Sequence, residues 1–178
     1  MRVIAGEFRS RILKTPEGLE CRPTPDRLRE SLFSILQPDL AGVTFLDAYA
    51  GSGSVGIEAL SRGAARVIFV EHNRVHAGVL RDNLKALGAE ARSQVYVGRV
   101  ADVLARQRAD ILFLDPPYTD ADEYERVLAL LSRDCPAALV LVQHSRRQVV
   151  PEQVGTLVRY REMKQGDNRV SFYHRAAE

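Results

Sequence analysis

Cysteine is scarce in this 178-residue chain, with two copies in all. Cys21 and Cys135 stand far apart with no metal-ligand spacing, so no metal is expected and two free thiols in a reducing compartment follow. Long apolar runs are missing as well. None approaches the roughly 20 residues that cross a bilayer, and the first residues lack the apolar segment of a signal peptide, so a cytoplasmic protein with no membrane partner is expected. No internal repeat, low-complexity tract or linker divides the chain, which leaves one domain over residues 1–178. A strong charge of either sign is also absent. The formal net charge of +2 is too small to announce nucleic-acid binding by itself, and 46% hydrophobic with 27% charged residues is the balance of an ordinary globular protein.

What charge there is sits unevenly. Arg2, Arg9, Arg11 and Lys14 face the single acid Glu7 across two predicted strands, Met1 to Ala5 and Ile12 to Lys14, joined around Gly6. This reads as a small basic hairpin extension, residues 1–22, ahead of the main fold over 23–178. Its cations are candidates for phosphate contact. Cys21-Arg22-Pro23-Thr24-Pro25 is a stiff linker, and Thr24 reads as a helix N-cap with Pro25 in the first helical position. Leu28, Leu32, Ile35 and Leu36 then recur at helical spacing, while Arg27, Arg29 and Glu30 fall elsewhere on the wheel.

From Val43 the rhythm is strand, turn, helix, repeated. Strands are expected over Val43–Asp47, Val67–Val70, Gln94–Val97, Ile111–Leu114 and Ala138–Val142. Helices are expected from the glycine-rich turn to Gly63, over Arg74–Leu87, over Val100–Arg106 and around Tyr124, Val127, Leu128 and Leu131. Thr156–Met163 and Val170–Arg175 flank Gln165-Gly166-Asp167-Asn168 as a closing antiparallel hairpin. Runs that are apolar throughout, alternating with helices, indicate a parallel sheet covered on both faces.

Gly51-Ser52-Gly53-Ser54-Val55-Gly56 fits G-x-G-x-x-G between a strand and a helix, the nucleotide-binding turn of a doubly wound sheet. Both dinucleotides and S-adenosylmethionine use such a turn. Asp47, four residues before the first glycine, opposes a pyrophosphate at the helix N-terminus and suits an ammonium or sulfonium instead. It could also simply cap the turn. Glu71, after the second strand, is placed for ribose hydroxyls, with pairing to Arg74 as its structural alternative.

Leu114-Asp115-Pro116-Pro117-Tyr118 carries the acceptor side. Neither proline has an N–H, and each biases its predecessor toward extended backbone. The Asp115 carboxylate and the Asp115 and Pro116 carbonyls thus form an acceptor-only pocket with a flat ring at its rim. A planar group with an NH2, stacked on Tyr118, fits it. Asp47, Glu71 and Asp115 all close parallel strands, where ligands of such sheets bind. A methyl donor and an amine acceptor in one cleft define N-methyl transfer.

These residues carry a family resemblance. Asp-Pro-Pro-Tyr after the fourth strand resembles motif IV of amino-methyltransferases that modify bases. Arg9-Ser10-Arg11, Arg22-Pro23-Thr24, Asp26 through Phe33, Ala50 through Gly53, Glu58 through Gly63 and the closing Gly166-Asp167 and Ser171-Phe172-Tyr173 are similar to the RsmD family over nearly the whole chain. The resemblance implies a Rossmann-like class I S-adenosylmethionine-dependent methyltransferase with a mainly parallel seven-stranded α/β sheet. It implies transfer to the N2 amine of a guanine in 16S ribosomal RNA or the assembling small subunit. Asp115, Pro116 and Tyr118 would then be catalytic; Asp47, Ala50, Gly51, Gly53, Glu71, Arg99 and Val100 would bind the cofactor; Arg9, Arg11, Arg22 and Arg27 would contact RNA. Relatives carry an acid or amide where this chain has Val100, so adenine reading is left to backbone groups or Asp102. Where relatives carry an acid after the fifth strand this chain has Gln143, and the following His144 reads as structural. Three other activities share these features: methylation of an adenine or glutamine amine, NAD-dependent oxidoreduction, and non-catalytic RNA binding.

Overall fold

The computed structural model describes residues 1–16, 24–117 and 120–176. Its strands are β1 Thr44–Ala48, β2 Arg66–Glu71, β3 Ser93–Val97, β4 Ile111–Leu114, β5 Leu139–Ser145, β6 Gln153–Val154, β7 Leu157–Gln165 and β8 Asn168–Arg175. They form one eight-stranded sheet in the order β3-β2-β1-β4-β5-β8-β7-β6. The first five are mutually parallel, and β8, β7 and β6 continue antiparallel. The expected Rossmann-like α/β sheet is present with eight strands instead of seven. The addition, β6, is two residues long, too short for any periodicity to reveal.

Helices α1 Asp26–Leu36, α2 Ser54–Ser61 and α3 Arg74–Leu87 cover one face, where Leu28, Leu32, Ile57, Leu80 and Leu84 join one apolar cluster. Helices α4 Val100–Leu104 and α5 Ala121–Arg133 cover the other, with Val100, Val103, Tyr124, Val127 and Leu131 in a second cluster. No described helix is long and apolar enough to cross a membrane. Cys135 is a buried free thiol, and Cys21 lies outside the described residues.

Strand parity orients the site. Three strands end in the same triplet: Phe45-Leu46-Asp47, Phe69-Val70-Glu71 and Phe113-Leu114-Asp115. Each phenylalanine packs in the first cluster and each middle residue in the second. Side chains alternate across a sheet, so all three acids project toward the α1–α3 face at the carboxyl ends of their strands.

The expected N-terminal hairpin is present but short: Val3 N donates to Arg11 O at 3.0 Å and Leu13 N to Met1 O at 2.8 Å. A single antiparallel bridge, Arg2 to Ile12, stands where two strands were predicted. The amides that would have extended the ladder go elsewhere: Ile4 N and Ala5 N donate to the Glu58 carboxylate of α2 at 2.9 and 3.1 Å. Val3, Phe8 and Leu13 bury in the first cluster and seat the segment on the helices. Helix α1 starts one residue later than expected, with Pro25 as its N-cap at ψ 142° and no side-chain cap from Thr24. Arg29, expected away from the apolar face, is fully buried because the N-terminal segment covers that side; it donates to Arg2 O at 2.7 Å and Asp26 Oδ1 at 2.9 Å.

Asn83 of α3 joins this segment to the glycine turn. Its Oδ1 accepts from Lys14 N at 2.8 Å, and its Nδ2 donates to Lys14 O at 3.0 Å and to Ser52 O at 3.1 Å. Leucine at position 83 would fill the space while leaving an amide and two carbonyls without those partners. Asn83→Leu should therefore lower unfolding stability by about 1–3 kcal/mol, read as a lower urea midpoint at unchanged m-value.

Candidate active site

The strand order reverses direction between β1 and β4, the switch point where open parallel sheets bind ligands. Asp47 lies in register with Phe69 of β2 and Phe113 of β4, so Glu71 and Asp115 stand two residues further along, one on each side. Two strand spacings separate them by about 10 Å, with the glycine turn of β1 between.

That turn is held in a conformation few side chains adopt. Tyr49, Gly51 and Gly53 have φ of 78°, 56° and 88°. At Gly51 and Gly53 this costs nothing; at Tyr49 it is strain, of the kind that persists where surrounding bonds over-determine it. Tyr49 N and Ala50 N both donate to Val70 O, at 3.1 and 2.9 Å. The Tyr49 hydroxyl donates to Glu123 Oε1 at 2.7 Å, linking the turn to α5. Gly56 admits β2 against α2, since a Cβ there would stand 2.3 Å from the Phe69 ring.

The acids brace the turn. Asp47 is 2% exposed and accepts from Gly56 N, in the first turn of α2, at 2.8 Å. The turn-capping role is thus present, and it occupies one oxygen. Glu71 accepts from Gly51 N at 2.8 Å and from Asn73 N at 2.7 Å, and pairs with His72 at 3.3 Å instead of with Arg74. Ala50 is buried beside the turn. Gly98 N donates to Glu71 O at 3.1 Å, and an open depression of about 520 Å³ lined by His72, Arg74, Arg81, Val97 and Gly98 adjoins this end. The Val100 side chain belongs to the second core cluster, and Arg99 is 82% exposed and paired with Asp102 at 3.2 Å.

On the far side of the turn, Asp115 is half-buried, Pro116 buried and Pro117 exposed. Burial raises the Asp115 carboxyl to about 8, with the nearby charge of Asp47 adding to the effect. Burial likewise raises Asp47 to about 7, against the bond from Gly56 and helped by the charge of Glu71. Among the described residues neither carboxylate has an ion-pair partner. Two raised acids, one buried and one half-buried, with no ion-pair partner among the described residues make a site that a cation completes.

The acceptor pocket is less bare than the prolines imply. The Tyr124 hydroxyl of α5 lies 3.2 Å from Pro116 O and 3.0 Å from Gln143 O. A carbonyl oxygen has two lone pairs, so Pro116 O keeps an acceptor site. Tyr118 and Arg22 lie outside the described residues. His144 is structural, as expected: its Nδ1 lies 3.0 Å from Ser145 O, which requires a proton there, and Nε2 accepts from Ser171 Oγ at 3.0 Å.

The RNA candidates separate. Arg27 is exposed in the first turn of α1, whose far end meets Arg62 through Gln37 at 3.3 Å. Arg9 and Arg11 lie elsewhere. Glu7 N and Phe8 N bond Ser61 at the last turn of α2, at 2.7 and 2.9 Å, and Arg11 Nη2 donates to Ala86 O near the end of α3 at 2.8 Å. Both helices start at the cleft, so Arg9 and Arg11 sit about 10–18 Å down their axes, toward the amino ends of the strands.

Sequence reasoning missed Tyr49, Glu123 and Tyr124. The first is hidden because a positive φ cannot be anticipated at a tyrosine. The other two sit on a helix whose periodicity reports only burial. The Phe-apolar-acid triplet, by contrast, is visible in the sequence and would have put all three acids on one face.

Comparison with known proteins bears on this site. The family described as "Conserved hypothetical protein 95" matches residues 1–174. Bacillus subtilis YlbH is 36% identical over 97% of this chain and 98% of its own length. "Ribosomal RNA small subunit methyltransferase D" of Escherichia coli K12 is 33% identical over 100% of this chain and 91% of its own. The solved structure of Escherichia coli yhhF superposes with a TM-score of 0.87 at 34% identity, covering 100% of this chain and 99% of that one. With the match running from end to end and the switch-point acids in place, the chain belongs to this family, the RsmD family that its motifs resemble.

Proposed function

We propose that this protein transfers a methyl group from S-adenosylmethionine to the exocyclic N2 amine of a guanine in 16S ribosomal RNA. The observation that carries the reading is the pair of acids, buried Asp47 and half-buried Asp115, flanking a glycine turn at the switch point with no ion-pair partner among the described residues. The name of the Escherichia coli relative supports a small-subunit ribosomal RNA substrate.

When bound, S-adenosylmethionine supplies an electrophilic methyl group. Asp47 provides the negative charge for its cationic groups; Ala50, Gly51 and Gly53 shape the turn that it crosses. Glu71 and the backbone at Arg99 and Val100 hold the adenosine end. Asp115 and Pro116 O accept the two N–H bonds of the target amine, drawing its lone pair out of the ring plane. The same acceptors stabilise positive charge as it develops on nitrogen, the cationic counterpart of an oxyanion hole. Positioning supplies much of the remaining rate. Proton loss follows alkylation, so no strong base is needed. Tyr118 stacks on a base turned out of its helix or loop.

The test is methyl-label transfer to undermodified small-subunit particles and to free ribosomal RNA, followed by mass mapping of the labelled nucleoside. N2-methylguanosine is the expected product. N6-methyladenosine, or label in protein and none in RNA, would overturn the guanine reading.

A further inference from the structure

The cleft end of the sheet carries cations that no motif points to. Strand β5 continues past the acceptor level: Leu114 is in register with Val142, and Ser145 lies three residues beyond. At about 3.3 Å per residue, Arg146 and Arg147 begin about 13 Å above Leu114 and one strand over. The β7–β8 turn rises beside them, since Ser145 pairs with Asn168. Arg146 Nε contacts Asp167 Oδ1 at 3.0 Å, Arg169 Nη1 donates to Gly166 O at 2.7 Å, and Lys164 Nζ pairs with Glu162 at 3.2 Å. Arg147 is exposed.

Three features mark this rim as a binding surface for a polyanion. Lys164 and Arg169 are directly opposed across the β7–β8 ladder, a like-charge pairing that costs stability. Asp167 is engaged in an exposed pair with Arg146, and Glu162, 26% accessible, is shared between Lys164 and Arg159; the exposed pair contributes little and exchanges readily for phosphate, and Lys164, 65% accessible, keeps donors free for one. The third is parity. Arg169 is in register with His144, and Lys164 with Arg169, so both lie on the α4–α5 face, opposite to the one into which Asp47, Glu71 and Asp115 project.

We infer that Arg146, Arg147, Lys164 and Arg169 form a phosphate-binding rim that grips the RNA strand next to the target nucleotide. The inference rests on the RNA-methylating reading above. The buried acids repel phosphates and accept the amine edge of the base; the rim attracts the backbone from the other side. A flipped nucleotide is thereby oriented with its amine toward the cofactor turn and its phosphates away from it. Arg9 and Arg11, at the opposite end of α2 and α3, do not reach that strand.

The test compares wild type, Arg147→Gln and the Arg146→Glu/Arg147→Glu double variant for binding to undermodified small-subunit particles across a salt series. S-adenosylhomocysteine affinity serves as the control for an intact fold. The double variant should bind particles at least about tenfold more weakly, with the slope of log K against log salt reduced by roughly 0.7–0.9 per lost phosphate contact. Arg147→Gln should show a smaller change of the same sign, and cofactor affinity should hold in both. Unchanged particle affinity and slope in the double variant, with wild type active, would overturn the rim alone. Wild type that neither binds nor methylates the particles would overturn the RNA-methylating reading and the rim together.

Discussion

Replacing Asp115 by alanine should reduce single-turnover methyl transfer by about 10²–10³-fold, the range for removing one preorganised electrostatic partner of a transition state. The side chain reaches the cleft from the carboxyl end of β4, on the same face as Asp47. Its loss removes an acceptor for the target amine and leaves the glycine turn untouched, because the bonds that shape that turn come from Gly56 and Gly51 to Asp47 and Glu71. Cofactor affinity measured by calorimetry should accordingly stay within about threefold, a change under 1 kcal/mol. The Asp47 carboxyl should stay raised in the alanine variant, because burial is the main cause of its shift and the charge that adds to it is that of Glu71. Full turnover with Asp115→Ala would remove the carboxylate from the mechanism. Loss of cofactor binding would instead make it part of the donor pocket.

The contrast between what the chain announces and what it hides follows from range. Elements set by nearest neighbours are legible: Arg74–Leu87 and Ile111–Leu114 form over the residues that periodicity gives them. The three strand-end acids are legible because an acid closing an apolar run at a carboxyl end has few other reasons to be there. What depends on contacts across many residues is not. Ile4 and Ala5 have the composition of a strand, yet Glu58, over fifty positions away, takes their amides and halts the ladder. Arg29 follows an apolar residue on a helix and would be solvated in an isolated α1; it is buried because residues 1–13 fold back over it. Phe8 and Leu13 draw the segment that carries Arg9 and Arg11 down the outside of α2 and α3, a course that their charge does not announce. At the site itself, Tyr124 reaches Pro116 O from a helix that sequence assigns only to the core.

Replacing Asp47 by asparagine should move stability and binding in opposite directions. The amide oxygen can still accept from Gly56 N, so the helix start is kept, while the charge is lost. In the free protein the Asp47 carboxyl is raised from 3.8 to about 7, mainly by burial, and Asp115 from 3.8 to about 8. A raised carboxyl binds its proton more tightly in the folded state, so its ionised form opposes folding: the free protein loses stability as pH rises from about 4 toward 8. Asp47→Asn abolishes part of that loss and should be more stable than wild type at pH 8, with the two converging only below about pH 4. Cofactor affinity should drop by about 10–100-fold, the worth of a hydrogen bond or ion contact to a charged group. In wild type, cation binding requires the carboxylates to ionise, so S-adenosylmethionine should bind more tightly as pH rises from 6 to 8 and release protons, seen as a calorimetric heat that depends on the buffer's ionisation enthalpy. S-adenosylhomocysteine keeps the ammonium and lacks the sulfonium. Because Asp47 carries the charge for both cationic groups and Asp115 serves the acceptor amine, the homocysteine compound should release fewer protons than the methyl donor in wild type, and the difference should persist in Asp115→Ala but vanish in Asp47→Asn. Equal proton release by both ligands in every variant would leave the sulfonium unpaired with either acid, and the division of labour between the two carboxylates would fail.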